Sequence, residues 1–352
     1  MIFDRRKTNE RALRPRKSAL VAAFALCIAA NFASAQDTKP TVPDEWKLSV
    51  AVGPAYALGV AAETWAKRLG DPAGGGLPTK VYPGAALADR DPARELLALR
   101  NGAADFAVGS SLYWSQQAGG LGVVSLPWIA PDARQLDALA KGPIAERLLA
   151  VVEGAGVVPL AIAPLGHREL ATRERPVRSP ADLAGMRVRV GAPQLVELFT
   201  ALGAKAGVMS YAEAQPAFAA GTLDAQEGTL ATMATSRLDA VGFRHVVLWG
   251  AVAEVAVFAM NRQRWDALDD IRRARVRVAA AEAASELAQW VRKENDSALT
   301  ALRKRGLAAT QLSVAERAAF ATAARPVYDR WAAAAGADLA RAAEAAVTGV
   351  TP

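Results

Sequence analysis

From Met186 to Val190 the chain alternates strictly between apolar and basic residues. This predicts a strand with Arg187 and Arg189 on one face and Met186, Val188 and Val190 on the other. A helix-start signature precedes it, with Ser179, Pro180 and Asp182 in sequence and Gly185 closing the turn. After the strand, Ala192-Pro193 opens a helix that buries Leu195, Val196, Phe199 and Leu202 and stops at Gly203. Ser210 and Glu213 form a capping box for a second helix, which ends at Gly221.

Similar patterns divide the rest of the chain. Strands are expected over residues 46–52, 79–82, 105–109, 157–163 and 245–260. Helices are expected over 56–69, from the Asp91-Pro92 cap to Asn101-Gly102 with Leu96, Leu97 and Leu99 inward, and over 133–153. A further helical piece follows Thr229, and residues 269–304 are almost all helix formers without a proline. So long a helix is expected to span more than one domain. Ser313 and Glu316 cap a last helix, interrupted at Pro326 and running to Ala346. Alternating strands and helices predict an α/β fold with a parallel or mixed sheet covered on both faces.

A weak internal echo runs through this order. Leu99 to Asp105 resembles Phe218 to Asp224: a helix, its glycine stop and a G-x-x-D turn into the next strand. Two explanations stand side by side. Any helix-to-strand turn favours glycine, or the chain holds two similarly built lobes facing each other across a cleft.

The first residues set the compartment. Residues 1–17 carry seven basic and two acidic residues, an apolar run follows over 19–30, and Ala33-Ser34-Ala35 completes a secretory signal peptide over 1–35, cleaved after Ala35. The apolar run is too short to span a membrane, which needs about 20 residues. The mature chain is therefore expected in the periplasm. Removing the leader takes 42 basic and 35 acidic residues to 35 and 33, a net of +2. No argument for nucleic acid remains. Cys27, the only cysteine, lies in the leader, so disulfides and thiol chemistry are not expected.

The chemistry expected of the mature chain is binding. Arg189 stands at the carboxyl end of a strand, before a helix start, where open α/β sheets bind ligands; it is a candidate anion site. The two histidines, His167 and His245, lie far apart without metal-ligand spacing, and no nucleophile elbow, phosphate loop or zinc-protease motif occurs. No cofactor and no metal are expected. Tyr113 and Trp114 follow a strand end and either lean over a ligand or pack inside; Trp249 offers the same two readings. Trp128 and Trp265 read as core.

SPADLAGMRVRV, FTALGA, SYAE and AGTLDAQE together resemble the periplasmic solute-binding proteins of TRAP transporters, the dicarboxylate-binding (DctP-like) family. Weaker matches extend through VYPG, LRNGAAD, SLPW and GHREL to Met260-Asn261 and Trp265–Leu268. The resemblance implies a two-lobed periplasmic binding protein (class II-like) with mixed sheets and a long helix spanning both lobes. Lobe I would take residues 46–163, completed by about 250–310; lobe II would take 164–249, and 311–352 a C-terminal helical segment. It implies capture of an organic acid and delivery to TRAP membrane permease subunits, by a monomer, with a dimer left open. Arg189 would hold the carboxylate through its planar fork, and Glu227 would line the site. Arg168 would be a second ligand arginine or else pair with Glu169 or another surface acid.

The chain departs from the family pattern at two places. Gly228 stands where the family has a ligand-contacting asparagine, and Pro216 falls about six residues into a helix it should kink or shorten. A secreted enzyme or sensor-partner domain on the same scaffold is the alternative function.

Overall fold

The alternation read in the sequence resolves, in a computed structural model, into strands β1 (Trp46–Val50), β2 (Thr79–Tyr82), β3 (Phe106–Ser110), β4 (Val157–Thr172), β5 (Arg187–Val190), β6 (Lys205–Val208), β7 (Ala225–Gly228), β8 (His245–Asn261) and β9 (Ala308–Gln311). The structure describes residues 45–349 apart from Gly75; the expected leader and its cleavage after Ala35 lie outside the described residues. All nine strands join one sheet in the order β2-β1-β3-β8-β4-β7-β5-β6, with β9 added beside β8. No described helix is long and apolar enough to cross a membrane.

The sheet contains the same construction twice. β1, the helix Ala57–Gly70, β2, the helix Glu95–Arg100 and β3 form a parallel unit with β1 in the middle. β5, the helix Pro193–Ala201, β6, the helix Tyr211–Ala219 and β7 repeat it with β5 in the middle. The G-x-x-D turns occupy matching places. Gly102 and Gly221 take φ of 79° and 67°, the left-handed conformation that favours glycine. Asp105 then accepts the backbone N–H of Lys47 at 2.8 Å, as Asp224 accepts that of Arg187 at 2.8 Å. The echo in the sequence is therefore a repeated strand-locking device.

Long antiparallel strands join the two units. β8, which follows the second unit, pairs with β3 of the first; β4, which follows the first, pairs with β7 of the second; and β4 and β8 pair with each other. The helix Asp270–Lys304 crosses both halves. Val276, Ala280, Ala283 and Leu287 enter the core around β1 and β3, while Ala298 and Leu302 enter the core around Phe218 and Phe243.

Several boundaries differ from expectation for local reasons. β4 does not stop at 163: it passes Pro159, Pro164 and Gly166 by irregular register and runs to Thr172. The helix expected over 133–153 breaks into Ala133–Leu139 and Gly142–Gly154, because Gly142 turns left-handed (φ 61°) and Pro143 starts a new helix. The last expected helix is three: Val314–Ala323, Arg325–Ala335 and Ala337–Thr348. β6 and β9 fall outside the expected strands, with small or polar residues at most of their positions. The capping boxes at Ser179, Ser210 and Ser313 are all present. Pro216 sits inside its helix, which ends at Ala219.

Candidate functional site

The carboxyl ends of β5 and β7 meet the end of β3 across the β4–β8 pair, and this meeting gathers polar residues that the apolar pattern would otherwise exclude. Arg189, at the end of β5, is only 8% exposed. Its Nε donates to the Met209 carbonyl at 2.8 Å, and its guanidinium carbon lies 5.8 Å from the centre of the Tyr211 ring. Among the described residues, its side chain makes no other hydrogen bond, and its two terminal nitrogens are unpaired. A buried guanidinium normally has its donors paired, so this fork is held in place by its stem and left open at its tip.

Arg168 is the opposite case. Its Nε and Nη2 both donate to the Glu227 carboxylate, the latter at 3.1 Å, and its Nη1 donates to Glu254 at 2.7 Å. The three side chains are 11%, 2% and 3% exposed. Glu227 also accepts the backbone N–H of Gly191 at 2.6 Å, and Glu254 accepts the hydroxyl of Ser110. Burial by itself would lower the pKa of Arg168, but Glu227 and then Glu254 outweigh it and hold that pKa well above the ordinary value. Burial would likewise raise Glu227; Arg168, Arg189 and the Gly191 amide keep it lowered and charged. Arg168 thus pairs with two buried acids from other strands, and Glu169 is not its partner.

Gly191 is needed for close approach. A Cβ there would lie 3.0 Å from both Arg168 Nη2 and Tyr113 Oη and 3.3 Å from Glu227 Oε1. Tyr113 therefore belongs to the cluster, half-buried; burial pushes its phenol pKa up, Arg168 partly counters this, and Glu254 and Glu227 add to the rise. Gln194 closes this side, donating from Nε2 to the Leu112 carbonyl.

Trp114 and Trp249 lie elsewhere. Trp114 is fully buried among Leu96, Leu99 and Leu121, because its ring fills the space above Gly109; it corrects to core. Trp249 packs with Trp128, Phe199 and Phe320 at ring distances of 5.5 to 5.8 Å. Its indole donates to the Arg168 carbonyl at 3.0 Å, tying this aromatic group to the strand that carries Arg168. The Trp249 and Gly250 amides in turn donate to Glu169 at 2.8 and 3.1 Å, across an irregularity of β4 and β8. Trp128 also belongs to this aromatic group, in a left-handed conformation (φ 58°) fixed by bonds to Trp249 and Ala251.

Sequence reasoning missed Glu254, Gln226 and Ser110. Glu254 had a signal, a lone acid inside a 17-residue apolar strand. Gln226 is the direct partner of Arg189 in the ladder. Ser110 had none, since serine at a strand end is ordinary helix-cap chemistry. A groove between the helices Ala57–Gly70 and Asp270–Lys304 lies apart from this cluster, and its charges are spent locally, Arg68 on Glu282 and Glu286. Among the described residues, no group of three or more histidine, cysteine or acidic side chains is arranged to hold a metal ion.

Residues 48–334 match the model of the bacterial extracellular solute-binding proteins, family 7. The C4-dicarboxylate-binding periplasmic protein DctP of Rhodobacter capsulatus is 29% identical, over 93% of this chain and 97% of its own. A TRAP periplasmic solute-binding protein of Ralstonia eutropha, solved with bound (S)-2-acetolactate, is 39% identical with a TM-score of 0.83, over 88% of this chain and all of its own. One from Chromohalobacter salexigens, solved with bound D-glucuronate, shares the fold at 23% identity, with a TM-score of 0.79 over 86% of this chain and 99% of its own.

Proposed function

The chain belongs to the bacterial extracellular solute-binding proteins of family 7, and from that premise we propose that it captures a small organic acid for a TRAP permease with Arg189 as the carboxylate clamp. One observation carries the residue assignment. Of Arg168 and Arg189, the first is already neutralised by Glu227 and Glu254, while the second keeps its terminal nitrogens open. A carboxylate matches that pair of parallel donors, and each charge-assisted bond contributes about 1.5–3 kcal/mol. Tyr113 and the Arg168–Glu227 pair form the adjoining wall.

The repeated halves of the sheet support a reading as two lobes, residues 46–163 completed by 250–310 and residues 164–249, closing on the acid between them. The role is transport by binding, without chemical change to the acid, and it places the mature chain in the periplasm. The 39%-identical relative solved with acetolactate favours a short oxygenated acid as the ligand class.

Native mass spectrometry of protein purified without added ligand identifies a retained acid, and thermal unfolding with that acid tests the clamp. A hundredfold excess over Kd should stabilise the wild-type protein by about 2.7 kcal/mol. Arg189→Lys should lose most of that gain, because lysine is a point charge without the planar fork. An undiminished gain in the variant removes Arg189 from the role; recovery of a chemically altered acid removes the binding-only reading.

A further inference from the structure

The two halves treat one position of the repeat in opposite ways. After the locking aspartates, β3 reads Phe106, Ala107, Val108, Gly109, Ser110 and the second half reads Ala225, Gln226, Glu227, Gly228, Thr229. The register is anchored at both ends. Ser110 and Thr229 each cap the helix that follows, accepting N–H groups at 3.1 and 3.2 Å. Gly109 thus corresponds to Gly228, and Ala107 to Gln226.

Above Gly109 the space is taken. A Cβ there would come within 1.9 Å of the Trp114 ring. Gly228 is buried as well, yet a Cβ on it would meet no atom within 4 Å. Two residues below it on the same strand face, Gln226 is 1% exposed and its Oε1 has no hydrogen-bond partner. Left unpaired, such a group disfavours the fold by a factor of about ten or more. Arg189, the ladder partner of Gln226, leaves the same face about 4.8 Å away. It leans aside to the Met209 carbonyl and over Tyr211, whose own buried hydroxyl is also unpaired. Among the described residues this leaves Gln226 two positions below, Arg189 beside it and open space over Gly228, a slot where the other half of the molecule has placed an indole.

We propose that this slot is the subsite for the non-carboxylate part of the ligand, and that the ligand is a hydroxyl-bearing carboxylic acid with a branched or bulky carbon skeleton. This rests on the reading of Arg189 as the carboxylate clamp. The hydroxyl pairs with the Gln226 amide, which it fits at either end because it both donates and accepts. The carbon skeleton lies over Gly228. An unsubstituted acid of the same skeleton leaves Gln226 unpaired and binds more weakly for that reason.

The test is calorimetric titration of the mature protein with matched acids that differ by one hydroxyl: lactate and propanoate, 2-hydroxy-3-methylbutanoate and 3-methylbutanoate, malate and succinate. In every pair that binds, the hydroxy acid should be at least about tenfold tighter. Gln226→Met, close in shape, should bring that ratio below about threefold while the protein remains folded by circular dichroism. Gly228→Leu should weaken 2-hydroxy-3-methylbutanoate far more than lactate. The proposal is overturned if paired acids bind the wild type within threefold, if only unsubstituted acids bind, or if Gln226→Met leaves the ratio intact. Those failures leave the Arg189 clamp standing; equal binding by Arg189→Lys removes the clamp instead.

Discussion

Ser49 and Arg189 occupy the same place in two copies of one construction, yet one half closes its polar groups on itself and the other leaves them open. Each lies two residues beyond the N–H that a G-x-x-D aspartate holds, Lys47 in β1 and Arg187 in β5. Ser49 donates to Glu95 at 2.8 Å, and both are buried. Burial pushes the Glu95 carboxyl up to about 8, with Ser49 partly countering and Asp91 adding to the rise. At neutral pH that pair is largely a neutral acid bonded to a hydroxyl, offering a ligand no charge. Arg189 in the matching place is a permanent cation with an open fork. The same contrast recurs at Gly109, filled by Trp114, and Gly228, left open. Repeating a scaffold does not repeat a site. On the proposed reading, the site forms where the internal partners are missing.

The contrast can be broken first at Trp114. If its ring is the plug that the second half lacks, Trp114→Ala should cost about 3–5 kcal/mol of stability in urea unfolding. A loss below about 1 kcal/mol would mean the first half tolerates an open slot too, and the asymmetry would carry no meaning. Acid affinity should change little, since the ring lies in the core away from Arg189.

The Glu95 pair gives the next effect, through pH. Its folded value of about 8 exceeds the ordinary 4.5, so the native state holds the proton more tightly than the unfolded chain. The stability this provides is complete below about pH 4.5 and is lost as pH rises through about 8. The loss should amount to a few kcal/mol, of order 1.4 kcal/mol per pH unit within the window. Unfolding midpoints of Glu95→Gln, measured from pH 5 to 9, should lack this slope. An unchanged slope would show that another group titrates.

The smallest effect sharpens the likeness. Asp105→Asn and Asp224→Asn should each weaken a strand lock by about 1–2 kcal/mol. Asp105 should cost more, because it is nearly fully buried whereas Asp224 is about a third exposed and its pair with Arg187 is screened. Equal and negligible losses in both would reduce the repeated turn to a glycine preference.

Local signals made much of this legible. Capping boxes at Ser179, Ser210 and Ser313, the period-two strand through Arg189, and the long helix rest on interactions within a few residues, and each stands where the pattern put it. Pro164 and Gly166 follow the expected strand 157–163, yet β4 continues to Thr172 because β8 pairs along its length and absorbs three register shifts. The break at Gly142-Pro143 lies inside a run of good helix formers that masks it. Among site residues, Arg189 was marked by its strand and motif. Glu254 and Gln226 became meaningful only once their neighbours in space were known.

By itself the sequence determined the order of elements, the repeat of the G-x-x-D turn and the presence of arginines at a strand end, because short-range periodicity, caps and turn chemistry depend on residues close along the chain. Which arginine is free was decided by tertiary structure alone. Arg168 meets Glu227 and Glu254, 59 and 86 residues away, while among the described residues Arg189 meets the Met209 carbonyl and the Tyr211 ring but no acid. Charge neutralisation in a buried site depends on distances of a few ångströms between distant segments. No local pattern encodes those distances; the pairing of β4, β7 and β8 does.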